Sequence, residues 1–113
     1  MTDTGLAEAW AKMMGWKTEI LGKNDVWYHV NESSMIPARN WHPLTSWSDW
    51  GICYEWMIGR GWRSCHSYRN NCHIWTWFHP GNKDLGHYHE SDPDIRRAML
   101  LAALKAKGEN ETD

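Results

Sequence analysis

Apolar residues recur at three- and four-residue spacing near the start of the chain. Leu6, Ala9, Trp10, Met13 and Met14 fall on one face and predict a helix over residues 4–14. Asp3 or Thr4 can cap its start, and Gly15 is placed to end it. The period then shortens. Runs near 16–21 and 26–30 predict two strands joined by the turn-forming Gly22-Lys23-Asn24-Asp25. Residues 31–45 follow no period, and Pro37 and Pro43 argue for irregular structure there. A second helix is expected from Ser46 or Ser48 to about Ile58. Trp50, Cys53, Trp56 and Met57 form its apolar stripe, and Gly59 or Gly61 stops it.

Three strands follow in close order, 62–68, 72–79 and 85–90. Arg69-Asn70-Asn71 and Pro80-Gly81-Asn82-Lys83-Asp84 connect them, and links this short permit only an antiparallel meander. In the last helix Ser91 or Asp92 is the cap and Pro93 the first position, with Ile95 to Lys107 as its body. Residues 108–113 read as a polar, frayed tail. The order is α-β-β-α-β-β-β-α in one domain over residues 1–113, with an ordered core at about 4–107. Amphipathic helices with a small antiparallel sheet make this an α+β layered sandwich.

Three short motifs carry a resemblance. Met14-Gly15-Trp16 closes the first helix, Ser46 with Asp49 opens the middle one, and Ala98 through Ala102-Ala103-Leu104-Lys105-Ala106 ends the domain. Their order and spacing resemble the phage ABA sandwich family of small phage proteins, over about residues 6–106. The resemblance implies a three-layer α/β/α sandwich with a central antiparallel sheet. It also implies a phage origin, and with it the cytoplasm of an infected bacterial host. It brings no catalytic residues. The chain departs from the family pattern in its tryptophan and histidine richness between residues 41 and 89.

Composition sharpens this picture. Ten tryptophans and four tyrosines against one phenylalanine put most large apolar volume into rings. Each buried indole needs an acceptor for its N–H, so polar contacts are expected at the core edge. The net charge of −2 argues for neither a nucleic-acid nor a membrane partner. Its distribution says more. Every acid lies at or before Glu55 or at or after Asp84. Trp56 to Lys83 is therefore acid-free, and it carries Arg60, Arg63, Arg69, Lys83, His66, His73 and His79. Cys53, Cys65 and Cys72 lack framework spacing and no N-terminal segment resembles a signal peptide, so free thiols in a reducing cytoplasm are expected. No apolar run approaches a membrane span.

Pairing Tyr68 with Cys72, and His79 with Leu85, sorts the meander by face. Arg63, Cys65, Ser67, His73, Trp75, Trp77, His87 and His89 then share one face. Arg63 lies opposite Trp77, Trp77 opposite His87, and Trp75 opposite His89, at distances that allow stacking and cation–π contacts. Either a helix covers this face as core, or it stays partly open and binds a planar anionic ligand. In the second case rings stack on a base, Arg63 or Arg60 meets phosphate, and histidines donate hydrogen bonds. Arg39, Asn40, Trp41 and His42, in the irregular segment, form a rim or lid, or else Trp41 or Trp47 tucks back as a plug. Arg96 and Arg97 read as solvated charges.

Other chemistry has weaker spacing. His87 and His89 point to one face, and His73 could join them as zinc ligands. Cys65 and His73 could meet diagonally as a nucleophile–base pair, while Cys65 and Cys72 fall on opposite faces. Gly59-Arg60-Gly61 reads as a helix stop rather than a phosphate loop. The leading expectation is a non-enzymatic phage accessory protein with a counter-defence role. It would sequester a small nucleotide-like anion, without cofactor or bound metal, through Arg39, Trp41, Arg60, Arg63, His73, Trp75, Trp77, His87 and His89. One alternative is an interaction module that inhibits a host bacterial protein through exposed rings. A second is a small histidine-based, metal-dependent hydrolase. Sponge-like binders often build their pocket between subunits, so a homo-oligomer is expected. Net acidity counts against single-stranded nucleic acid.

Overall fold

The computed structural model describes residues 2–111. Helix α1 spans Asp3–Met13, and Thr2 rather than Asp3 or Thr4 caps it, its hydroxyl accepting the Gly5 N–H at 3.0 Å. Gly15, at φ +81°, takes the left-handed conformation that lets the chain leave the helix. Strands β1 (Lys17–Leu21) and β2 (Asp25–Asn31) form the expected hairpin. The segment expected to be irregular adds strand β3 (Ser34–Pro37), paired with β2, and a single 3-10 turn at Ala38–Asn40. Pro37 is tolerated because it ends a strand at the edge of the sheet.

Helix α2 (Trp47–Gly59) begins after Ser46, whose hydroxyl accepts the Asp49 N–H. Strands β4 (Arg63–Arg69), β5 (Cys72–Phe78) and β6 (Tyr88–Asp92) and helix α3 (Ile95–Glu111) complete the chain. Because β6 runs through Asp92, the cap of α3 moves from Ser91 or Asp92 to Asp94. Its carboxylate accepts the Arg96 N–H at 2.9 Å and its carbonyl accepts that of Ala98. The tail expected over 108–113 is helical through Glu111; Thr112 and Asp113 lie outside the described residues.

The α+β class, the three helices and the antiparallel pairing are as expected. The strands divide, however, between two three-stranded sheets, β1-β2-β3 and β4-β5-β6, rather than joining in one. Helix α3 packs on the second sheet, and α1 and α2 pack on α3. Along the second sheet α3 accepts the Trp77 indole N–H at the Met99 carbonyl (3.2 Å) and places Lys105 3.8 Å from Glu90. Helix α2 sets Trp50 and Tyr54 against Trp75 and Trp77. Behind both, Trp10 of α1 meets Trp56 edge-on at 6.1 Å and donates to the Leu100 carbonyl at 3.1 Å. The first sheet joins through Trp16, whose ring lies 4.6 Å from Trp41 and 6.0 Å from Tyr28.

Both registers of the second sheet differ from the expected ones by one residue. Asn70 and Asn71 both hold positive φ, 55° and 63°, and make a two-residue turn, so Arg69 pairs with Cys72 and Tyr68 with His73. Such a turn matches the strand twist, and asparagine tolerates the left-handed region. Across the next pair, Trp77 meets Tyr88 and Trp75 meets Glu90. A slip of one residue turns the partner strand over. The expected strip is therefore split. His66, Tyr68, His73, Trp75, Trp77, Tyr88 and Glu90 lie on the helix side, whereas Arg63, Cys65, Ser67, Arg69, Cys72, Ile74, Thr76, Phe78 and His89 lie on the open side.

Cys53 shows how this core titrates. Burial, aided by the charge of Asp49, raises its thiol pKa well above the ordinary value of 9.0. The unfolded chain ionises this thiol first, so folding holds the proton more tightly. The stability this contributes is present below pH 9.0 and lost as pH rises, by roughly 1.4 kcal/mol per pH unit. Denaturant titrations between about pH 8 and pH 11 should show a shallower alkaline loss for Cys53→Ala than for the parent. Equal slopes would place Cys53 outside the core.

Candidate functional site

The residues singled out from sequence do not form one site. Arg63, His87 and His89 are exposed, with Arg63 and His89 on the open side of the second sheet. The Arg63 guanidinium donates to the carbonyls of Trp62 (2.8 Å) and Ile58 (3.4 Å), and the His87 ring lies 5.5 Å from Phe78. Trp75 and Trp77 are buried on the other side. At the end of α2, the Arg60 guanidinium sits 3.8 Å over the Trp56 ring. Arg39 pairs with Asp25 and lies 5.8 Å from the Trp27 ring.

Trp41 is a plug rather than a lid, buried with its indole donating to the Ala7 carbonyl at 2.9 Å, whereas Trp47, the other candidate plug, stands exposed at the start of α2. Trp41 helps line a cleft of about 320 Å³ beside α1, together with Arg39, His42, Tyr28 and Glu8. There burial, and then the charge of Glu8, raise the Tyr28 hydroxyl pKa. A carboxylate beside a phenol held neutral suits an anion poorly.

The register also rearranges the metal and nucleophile candidates. His73 lies on the helix side of the sheet and His89 on the open side. Cys65 and His73 face opposite ways, and Cys65 and Cys72 share a face instead of opposing one another.

A different constellation assembles where α2 and α3 both begin, beside the tip of the β4–β5 hairpin. Trp47, 58% exposed, packs edge-on against Trp50 at 5.3 Å and carries the Arg96 guanidinium 4.6 Å above its ring. Trp50 stacks on Tyr54 at 5.6 Å and meets Trp75 edge-on at 5.8 Å. Beyond Trp75 comes His66, at 5.7 Å, and then Tyr68, 61% exposed, 4.8 Å from His73. The nearby acids are engaged: Asp92 lies 3.4 Å from Arg97, which also meets Asp3 at 2.8 Å. Arg96 and Arg97 are thus packed and paired groups, not solvated charges.

The two histidines are joined head-on. Nε2 of His66 and Nδ1 of His73 are 2.9 Å apart, the ring centroids 5.1 Å, and the ring planes within 21°. These values put both nitrogens close to the line between the centroids. A single proton fits between them; a metal ion does not, because two zinc–nitrogen bonds need about 4 Å along that line. One ring must keep its lone pair on this axis for the contact to exist.

Hydrogen-bond accounting singles out the same cluster. Among the described residues, four buried side-chain polar atoms have no hydrogen-bond partner: Trp50 Nε1, Trp75 Nε1, Arg96 Nε and His79 Nδ1. Three of them belong to this cluster, and all three are donors. Asp94, 3.6 Å from Arg96 Nε, balances its charge but is too far to accept its proton. An unmet buried donor costs about 1–3 kcal/mol, and contacts with ring faces recover only part of that. Sequence reasoning had placed Trp50 in a core stripe and Arg96 in solvent. The available signal was the spacing of Trp47, Trp50 and Tyr54, which lines three rings along one side of α2.

Compared with protein families, with curated proteins and with solved structures, the chain matches none. Among the described residues no helix is long and apolar enough to cross a membrane.

Proposed function

We propose that the protein is a non-enzymatic binding module for a small, planar, acceptor-rich ligand of nucleotide-like chemistry. The ligand sits at the ring cluster where α2 and α3 begin. One observation carries the reading: the unpartnered donors Trp50 Nε1, Trp75 Nε1 and Arg96 Nε belong to a single cluster. Buried donors without an acceptor are costly, and ligand oxygens or ring nitrogens would satisfy them. Trp47 and Tyr68, the exposed rings at its margins, supply faces on which a base can stack. Trp47 packs edge-on against Trp50 at 5.3 Å, at the margin of the cluster. A phage origin, which the short motifs imply, would give such a module a counter-defence use as a sequestrant of a host nucleotide signal.

The test is a tryptophan-fluorescence titration with a panel of mononucleotides and cyclic dinucleotides. At least one should quench the signal, and Trp50→Phe and Trp75→Phe, which keep a ring but delete an N–H, should each weaken it about five- to tenfold. Thermal melts of both variants serve as the folding control. Unchanged affinity in both, or no binding across the panel, sinks the reading.

A further inference from the structure

The outer edge of β4 is the longest unpartnered run of strand in the second sheet. Among the described residues β4 pairs only with β5, and six of its seven residues are exposed. Its N–H and C=O groups on the far side are therefore open to another strand. Natural edges are usually blunted by proline, a bulge or an inward charge. Here the register with β5 is unbroken over seven pairs, and the strand contains neither proline nor glycine. Its charges are Arg63 and Arg69, one at each end and both on the open side. No acid faces them. The open side holds Cys65, Ser67, Cys72, Ile74, Thr76, Phe78, His89 and Ser91 between them and the far edge.

Charge decides what can pair there. A second copy of β4, antiparallel and centred on His66, would set Arg63 against Arg69 twice in the register that pairs all seven residues. Like charges directly opposite are destabilising. A strand carrying carboxylates at those positions would meet both guanidiniums instead. Single-stranded nucleic acid fits less well. It would need a row of free rings for its bases, and the open side offers Phe78 and His87, packed on each other at 5.5 Å, and the imidazole of His89.

We infer that β4 takes an extended acidic peptide segment as a fourth strand, by backbone pairing with carboxylates set against Arg63 and Arg69. β4 shares His66 and Tyr68 with the ring cluster, but the peptide is read at the backbone edge and by Arg63 and Arg69 on the open side, so either reading can fail alone. Arg69 is the residue to change, because Arg63 is held by the Trp62 and Ile58 carbonyls. The ¹⁵N-labelled protein is titrated with a peptide of about ten residues alternating glutamate and valine, with its lysine counterpart, and with oligothymidylate. The glutamate peptide should shift and protect the amides of Arg63–Arg69 and bind about tenfold more weakly to Arg69→Glu at low salt. Equal binding of the two peptides would overturn the inference. So would shifts that map away from β4, an unaffected Arg69→Glu, or preference for the oligonucleotide.

Discussion

Trp77→Ala should cost about 3–5 kcal/mol of folding stability, the usual loss when a buried tryptophan is truncated. Trp77 is 0% exposed, lies opposite Tyr88, and touches Tyr54 of α2 at 5.9 Å and Trp75 at 6.0 Å. Its indole N–H also reaches the Met99 carbonyl of α3 at 3.2 Å. One side chain thus ties the central strand of the second sheet to both helices that cover it. Truncation leaves a cavity at that junction and removes the hydrogen bond to α3. The loss is a large share of the ~5–15 kcal/mol that holds a domain of this size folded. The thermal midpoint should fall by about 10–25 °C. Trp77→Phe keeps a ring and drops the N–H, so it should recover most of the loss. A cost below about 1 kcal/mol for the alanine variant would mean that β5 does not present Trp77 to the helices.

Gly61→Ala should cost about 2–4 kcal/mol, combining backbone strain with a displaced hydrogen bond. Gly61 holds φ +90°, outside the range that side chains tolerate. A Cβ there would stand 2.7 Å from Nε2 of His79. That ring is held on two sides: its Nε2 meets the Arg60 carbonyl at 3.0 Å, and Trp62 packs edge-on at 5.3 Å. Chemical denaturation of Gly61→Ala, His79→Ala and the double variant separates the two causes. Loss of the ring relieves the collision but not the strain, so the double variant should cost less than the sum of the single changes. Strict additivity would show that the two residues do not meet.

Legibility followed the range of the interaction. The helices were readable because their evidence is local. Leu6 and Trp10 repeat on one face of α1, Ser46 caps α2, and Gly15 and Gly59-Arg60-Gly61 end α1 and α2. The hairpin turns were visible as clusters of glycine and asparagine, and β3 was missed because Pro37 reads as a breaker unless the strand is known to be an edge.

The candidate site was legible only as an inventory of rings and bases. Its residues come from α2, β4, β5 and α3, and their assembly depends on the backbone of two consecutive asparagines. With Asn70 and Asn71 both left-handed, His66 comes beside His73 and Trp75, while Arg63 goes to the other side. By itself the sequence determined the three helices, five of the six strands, the α+β class and the acid-free stretch from Trp56 to Lys83, because periodicity, capping and charge order are properties of neighbouring residues. Tertiary structure alone decided the division into two sheets, which side of β5 the helices cover, and which indole donors go unmet. Side chains alternate at every residue of a strand, so one residue of register, set by a turn and held by packing, reassigns a whole face.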